Sequence, residues 1–160
     1  MNIYLIRHAE AEPHNELKPD GERRLTQEGI SILKSSMSIW KNYQQHFDLV
    51  ISSPLKRAIQ TSEIIKEFFL ISQDVITERA LLNGGRTEEI VLLAESLEVE
   101  DVAMIGHQPD IANHIANFLG IIDFKAKIKP ASIIKISFSG NPKIGNGKLE
   151  FLIPPINKKG

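Results

Sequence analysis

Three stretches of this chain are apolar at nearly every position, and each runs into a cationic or imidazole side chain. Ile3-Tyr4-Leu5-Ile6 leads into Arg7-His8, the run Asp48 to Ser52 leads through Ser53-Pro54 to Arg57, and Val102 to Gly106 leads directly to His107. Such unbroken runs predict strands buried on both faces, as in a parallel sheet, rather than half-exposed strands of alternating polarity. Between them, apolar residues recur at helical spacing. Ile30, Leu33, Met37 and Trp40 form one stripe; Leu55, Ala58, Ile59, Ile65 and Phe69 a second; Ile90, Leu93, Ala94 and Leu97 a third; Ile111, Ile115, Ala116 and Leu119 a fourth. Thr26 is a suitable N-cap for the first helix, and Ser53 with Pro54 at the first position suits the second. Thr87-Glu88-Glu89 opens the third, and Pro109 the fourth. Asp74 to Thr77 predicts a short strand, and Leu81 to Gly85 a turn. Towards the end, Ile133 to Phe138 and Lys148 to Ile153 flank a loop rich in glycine and predict an antiparallel hairpin. Pro154-Pro155 ends it, and residues 157–160 are expected to fray. Strands alternating with helices predict an α/β fold: a three-layer α/β/α sandwich with a mostly parallel sheet and a C-terminal antiparallel hairpin, as one domain over residues 1–160.

Composition narrows the functional classes. The 160 residues are 42% apolar and 24% charged, the balance of an ordinary globular domain with room for a sizeable core. A formal net charge of −1, without a basic stripe interleaved with aromatics, argues against nucleic acid or a membrane surface as partner. The absence of cysteine removes disulfides, thiolate metal sites and a Cys nucleophile. No apolar run is long enough to span a bilayer, and the first residues lack the basic-then-apolar pattern of a secretory signal, so a cytoplasmic location is the expectation. A GTPase or kinase would need a glycine-rich phosphate loop that is not there.

If the three strands are parallel, Arg7, His8, Arg57 and His107 arrive at one edge of the sheet, where open α/β folds bind their ligands. Each residue also has a plainer reading. Arg7-His8 could be a strand end running into a solvated loop, and Arg57 could pair with Glu63. His14, His46 and His114 read as surface residues, with His14 close enough in sequence to approach the pocket. A metal site of His8, His107 and His114 lacks a carboxylate at ligand spacing. The polar loop from Ala9 to Arg24 is long enough to be functional.

Leu5-Ile6-Arg7-His8-Ala9, Ser52-Ser53-Pro54-Leu55-Lys56-Arg57-Ala58-Ile59-Gln60-Thr61 and Ile105-Gly106-His107-Gln108-Pro109 together resemble the motifs of the histidine phosphatase superfamily, also called phosphoglycerate-mutase-like. The short length resembles its compact phosphohistidine phosphatase branch. The resemblance implies that His8 is the residue phosphorylated during turnover, that Arg7 and Arg57 hold the phosphoryl group with His107, and that neither metal nor cofactor takes part. The residue chemistry agrees. Two guanidinium forks, an imidazole and helix N-termini near Ser53 and Gln108 suit a tetrahedral dianion, and a neutral imidazole can attack phosphorus and split the reaction into two steps.

Two positions depart from the family pattern. Ala9 stands where a glycine is common. The turn Leu82-Asn83-Gly84-Gly85, where mutase-like members carry a general-acid carboxylate, has none; Glu78 precedes it, and Glu88, Glu10 and Glu12 are the candidate acids. An alkyl phosphate needs an acid for its poor leaving group, whereas a phosphorylated imidazole leaves far more easily. The expected substrate is therefore phosphohistidine on a signalling or phosphotransfer protein. A small-molecule phosphate monoester phosphatase is the first alternative, and a non-catalytic phosphate- or phosphoprotein-binding module the second.

Overall fold

The structure, a computed structural model, describes residues 1–157. A six-stranded sheet organises it: β1 (Asn2–Arg7), β2 (Leu49–Ser52), β3 (Ile76–Thr77), β4 (Asp101–Gly106), β5 (Ile133–Ser137) and β6 (Lys148–Ile153), in spatial order β3-β2-β4-β1-β5-β6. The first four strands are mutually parallel, while β5 runs antiparallel to β1 and β6 antiparallel to β5. Four helices complete the layers: α1 (Gln27–Trp40), α2 (Lys56–Phe68), α3 (Thr87–Glu95) and α4 (Asp110–Leu119). This is the mostly parallel α/β architecture with a C-terminal hairpin that the apolar pattern predicts.

The unbroken apolar runs follow from packing on both faces. Successive side chains of a strand point to opposite faces. Tyr4 and Ile6 of β1 join Ala103 and Ile105 of β4 under α1 and α2, against Leu33, Met37, Trp40 and Ile65. Ile3 and Leu5 join Val102 and Met104 on the other face, against Ile90 and Ala94 of α3 and Ile111, Ile115 and Phe118 of α4. No residue of Ile3–Ile6 or Val102–Ile105 is more than 1% exposed. Each such side chain contributes roughly 1.5–3 kcal/mol of burial, so neither face tolerates a polar residue there.

α1 starts as predicted, with Thr26 Oγ1 accepting the Gly29 N–H at 2.9 Å. Its first turn lies directly on the chain that follows β1: a Cβ on Gly29 would come within 2.3 Å of the Glu10 carbonyl oxygen. The second helix differs from expectation. It begins at Lys56 behind Leu55, so Ser53 and Pro54 precede the helix and no side chain caps it. The Ser53 hydroxyl is taken instead by His107. The buried face of α2 carries Arg57, Ala58, Thr61, Ser62 and Ile65, and leaves Leu55 and Ile59 half-buried.

His114 is also placed differently from the surface position expected of it. α3 covers it, its side chain is buried, and its Nδ1 lies 2.9 Å from Thr87 Oγ1. His14 and His46 are exposed, and Trp40 is fully buried. Of the chain end expected to fray, Asn157 is exposed and residues 158–160 lie outside the described residues. Among the described residues no helix is long and apolar enough to cross a membrane.

Candidate active site

The parallel strands β1, β2 and β4 end at one edge of the sheet and bring Arg7, His8, Arg57 and His107 to a single pocket of about 490 Å³. The pairing is tight at the edge itself: the His8 N–H donates to the Gly106 carbonyl at 3.2 Å, and the Ser53 N–H to the Ile105 carbonyl at 3.0 Å. Residues that were separate in sequence are thereby fixed by the same ladder that forms the sheet.

The protonation pattern of His8 follows from its two contacts. Nδ1 is 2.7 Å from the Ala9 carbonyl oxygen, which can only accept, so Nδ1 carries the proton. Nε2 accepts from Arg57 Nε at 3.3 Å, which requires a lone pair there. Both contacts therefore select the same tautomer, with the Nε2 lone pair at the pocket. Burial, opposed by the Ala9 carbonyl and reinforced by His107, Arg57 and Arg7, pushes the His8 pKa down to about 3. Burial, and then Arg57, brings His107 down to about 4. Both rings are neutral at pH 7, and for His8 desolvation outweighs the arginines as the cause.

His107 stands beside His8, with ring centroids 5.1 Å apart. Its Nε2 lies 2.7 Å from Ser53 Oγ, and its Nδ1 has no partner among the described residues. The Ser53 oxygen also accepts the Leu55 N–H at 3.4 Å, so its own proton is free to reach His107 Nε2. In that tautomer His107 Nδ1 is a buried donor. Arg7 gives Nη1 to the Ile128 carbonyl at 2.8 Å, and its Nε likewise has no partner among the described residues.

Hydrogen bonds behind the pocket fix its geometry. Thr61 Oγ1 accepts the Ala9 N–H at 3.1 Å and donates to the Arg57 carbonyl at 2.7 Å, which ties the chain after His8 to the helix that carries Arg57. The Ala131 N–H donates to the carbonyls of Arg7 and His8 at 3.1 and 3.3 Å. Ala131 holds φ at 65°, a conformation unfavourable for a residue with a Cβ. Ala9 is not among the residues with positive φ, so the small side chain in place of glycine sits without strain.

The loop from Ala9 to Arg24 folds onto the pocket. An isolated bridge between Ala11 and Leu25 closes its neck, and a 3-10 turn at Asp20–Glu22 brings Asp20 to the mouth. Arg57 donates Nη1 to the Asp20 carbonyl at 3.0 Å and Nη2 to Asp20 Oδ2 at 3.2 Å, while Arg23 Nε donates to Oδ1 at 2.9 Å. Arg57 therefore pairs with Asp20, not with Glu63. Partial burial works to raise the Asp20 carboxyl, but Arg57 and Arg23 outweigh it and hold the group below the usual carboxylate range. His14 reaches no further than 3.9 Å from this same carboxylate.

Of the three candidate acids only Glu10 lines the pocket, where it accepts from the Thr26 hydroxyl at 3.2 Å. Glu12 turns away to Lys18 at 2.7 Å, and Glu88 lies beside Arg86 at 3.5 Å. Asn83 lines the pocket from the turn 82–85, held by Asp110, which accepts from Asn83 Nδ2 at 3.4 Å and the Gly84 N–H at 3.2 Å. Asp20 and Arg23 lie in the loop and Asn83 in the turn that the sequence marks as possible parts of the site, but no spacing singles out these individual residues. Gln108 and Pro130 complete the wall, and the Gln108–Pro109 peptide is cis. Among the described residues no group of three His, Cys, Asp or Glu side chains is placed to hold a metal ion. Three guanidinium groups facing Glu10 and Asp20 leave the pocket suited to an anion.

A model of the histidine phosphatase superfamily (branch 1) matches residues 3–89. An uncharacterized protein of Picosynechococcus is 28% identical over 113 residues, covering 69% of this chain and 68% of that protein. Among solved structures, the protein histidine phosphatase SixA complexed with tungstate superposes with a TM-score of 0.82 at 20% identity, covering 96% of this chain and 97% of that one. A phosphoserine phosphatase H9A mutant of Entamoeba histolytica in complex with phosphoserine gives 0.70 at 18% identity, over 94% and 95% of the chains. With the family match spanning more than half of its length and the family's fold reproduced almost end to end, the chain belongs to the histidine phosphatase superfamily, branch 1.

Proposed function

We propose that this protein is a metal-independent phosphatase that carries the phosphoryl group on His8, and that its substrate is phosphohistidine on a signalling or phosphotransfer protein. The observation that carries the reading is the Nε2 lone pair of a neutral His8 on the floor of a cationic pocket, with Nδ1–H locked on the Ala9 carbonyl. In the first step Nε2 attacks phosphorus, a new N–P bond forms, and the P–N bond to the substrate imidazole breaks; the leaving ring takes its proton from solvent. Arg57 Nε passes from His8 Nε2 to a phosphoryl oxygen as the bond forms. Arg7, Arg57 and His107 Nδ1 hold the three oxygens as their charge redistributes. Water then attacks phosphorus, the N–P bond to His8 breaks, and phosphate leaves.

The choice of phosphohistidine rests on the acids. Asp20 is held ionised by two arginines and has no proton to give, and the turn 82–85 presents Asn83 to the pocket. A leaving group that needs no enzyme acid fits this arrangement. One observation favours a second reading: Glu10 does line the pocket and could protonate an alkoxide, which would suit a small phosphate monoester. The likeness to both SixA and a phosphoserine phosphatase spans the same two readings.

The experiment is phosphoryl transfer from a histidine-phosphorylated phosphotransfer domain carrying labelled phosphate, with chelator present and His8→Ala in parallel. Wild type should remove the label, with a transient acid-labile label on the enzyme, and His8→Ala should do neither. No loss of label, with His8- and Glu10-dependent turnover of phosphate esters, would move the assignment to the second reading. Bound phosphate without turnover of either would leave a binding module.

A further inference from the structure

His107 and Ser53 meet where two neighbouring strands end. His107 is 2% exposed, and Ser53 is fully buried. The Ser53 N–H donates to the Ile105 carbonyl at 3.0 Å, next to the Ser52–Ile105 pair that closes the ladder between β2 and β4. The His107 carbonyl accepts the Ile111 N–H at 2.9 Å, which anchors that residue to the start of α4. The 2.7 Å contact between Ser53 Oγ and His107 Nε2 is thus held by backbone on both sides, and Nε2 has no other polar partner among the described residues. Burial keeps the ring neutral at pH 7, so one of its two nitrogens carries a proton and the other does not.

The two tautomers differ in what they leave unpaired. With the proton on Nδ1, the Ser53 hydroxyl donates to Nε2 while its oxygen accepts the Leu55 N–H, and only Nδ1–H is left over. With the proton on Nε2, the ring donates to Ser53 instead. The hydroxyl proton of a fully buried serine then has no acceptor among the described residues, and Nδ1 still has no partner. A buried hydroxyl without an acceptor is costly, so the serine selects the first tautomer. That choice decides what His107 can do in the pocket it lines. A phosphoryl dianion offers only lone pairs. An unprotonated Nδ1 would repel its oxygens, whereas Nδ1–H donates to them.

We propose that Ser53 is a positioning residue that holds neutral His107 in the tautomer whose Nδ1–H donates to a phosphoryl oxygen. The inference rests on the reading that this pocket transfers phosphoryl groups. It holds for phosphohistidine and for a phosphate ester alike, because Nδ1–H meets the phosphoryl oxygens and not the leaving group.

The test reads the tautomer directly, by long-range proton–nitrogen correlation NMR of the histidine rings in the full chain at pH 7. His107 is assigned by the loss of its signals in His107→Gln. Wild type should show a protonated Nδ1 and an unprotonated Nε2. Ser53→Ala should lose this preference, and Ser53→Thr, which keeps the hydroxyl, should retain it. Turnover is measured on a histidine-phosphorylated phosphotransfer domain and on phosphoserine. On whichever of them wild type turns over, kcat of Ser53→Ala should fall about tenfold, and Ser53→Thr should recover most of it. A wild-type ring protonated on Nε2, or on both nitrogens, overturns the proposal without any variant. So does a Ser53→Ala protein that loses turnover while keeping the wild-type tautomer, because the serine then serves packing alone. An unchanged kcat in a Ser53→Ala protein whose tautomer is lost overturns it as well. Wild type that turns over neither substrate, and whose His107 signals do not move on addition of inorganic phosphate, overturns the phosphatase reading, and the role of Ser53 falls with it.

Discussion

Acid should unfold this protein through two buried histidines of the candidate site. His8 and His107 are buried and neutral, with pKa values near 3 and 4 against about 6.5 in an unfolded chain. The folded state therefore refuses protons that the unfolded state accepts, and stability falls as pH is lowered. The penalty is nearly nil above pH 7, grows between 6.5 and the folded values, and levels off below them. At pH 5 a free histidine is protonated by about 30 to 1, which is worth about 2 kcal/mol for each ring, or about 4 kcal/mol for the pair. Burial lowers His114 as well, and it adds in the same direction. Carboxylates held low, such as Asp20 and Asp48, act at lower pH and barely enter this window. Against a total of about 5–15 kcal/mol for a domain, the loss is large. Urea unfolding at pH 7 and pH 5 measures it, with Trp40, the only tryptophan and fully buried, as the fluorescent probe. His8→Asn and His107→Asn should each shrink the difference between the two pH values by about 2 kcal/mol, whatever they do to stability at pH 7. A wild-type difference below about 1 kcal/mol, or variants that keep the full wild-type difference, would refute the reasoning.

Two further substitutions probe the frame around the pocket. Thr61→Val removes the oxygen that accepts the Ala9 N–H and ties it to Arg57, so it should cost about 1–3 kcal/mol in urea unfolding and lower kcat, because Ala9 orients His8. Asp20→Asn removes the charge that Arg57 and Arg23 share; turnover should fall about tenfold, the worth of one charge-assisted hydrogen bond, while inorganic phosphate, facing one negative charge fewer, should inhibit at lower concentration.

Much of the scaffold is legible residue by residue. Apolar runs at 3–6 and 102–105 can be read as two-faced strands because they are short and bounded by polar residues, where a buried helix would run for about ten residues or more. Thr26 caps α1 as read, because an N-cap is a contact between neighbours in sequence. Ser53 looked the same locally and failed as a cap, because a partner 54 positions away claimed its hydroxyl. His114 reads as surface by residue type, yet it stands three residues after Ile111 on the buried face of α4, beside Thr87 of α3. The acids show the limit most clearly. Glu10, Glu12 and Glu88 were equivalent by spacing, yet only Glu10 reaches the pocket, and Asp20, which carried no signal, holds both Arg57 and Arg23.

The sequence by itself determined the strands, the helices that cover them and the cluster of Arg7, His8, Arg57 and His107, because each depends on local periodicity and on the rule that parallel strands share a carboxyl edge. Only the tertiary structure decided the state of that cluster. The neutral tautomer of His8 depends on one carbonyl and one guanidinium meeting a ring from opposite sides. The depressed pKa values depend on how many layers exclude water from the edge. The mouth depends on a polar loop whose fold is fixed by hydrogen bonds to Arg57, across 37 residues of chain, and these leave no periodic mark in the sequence.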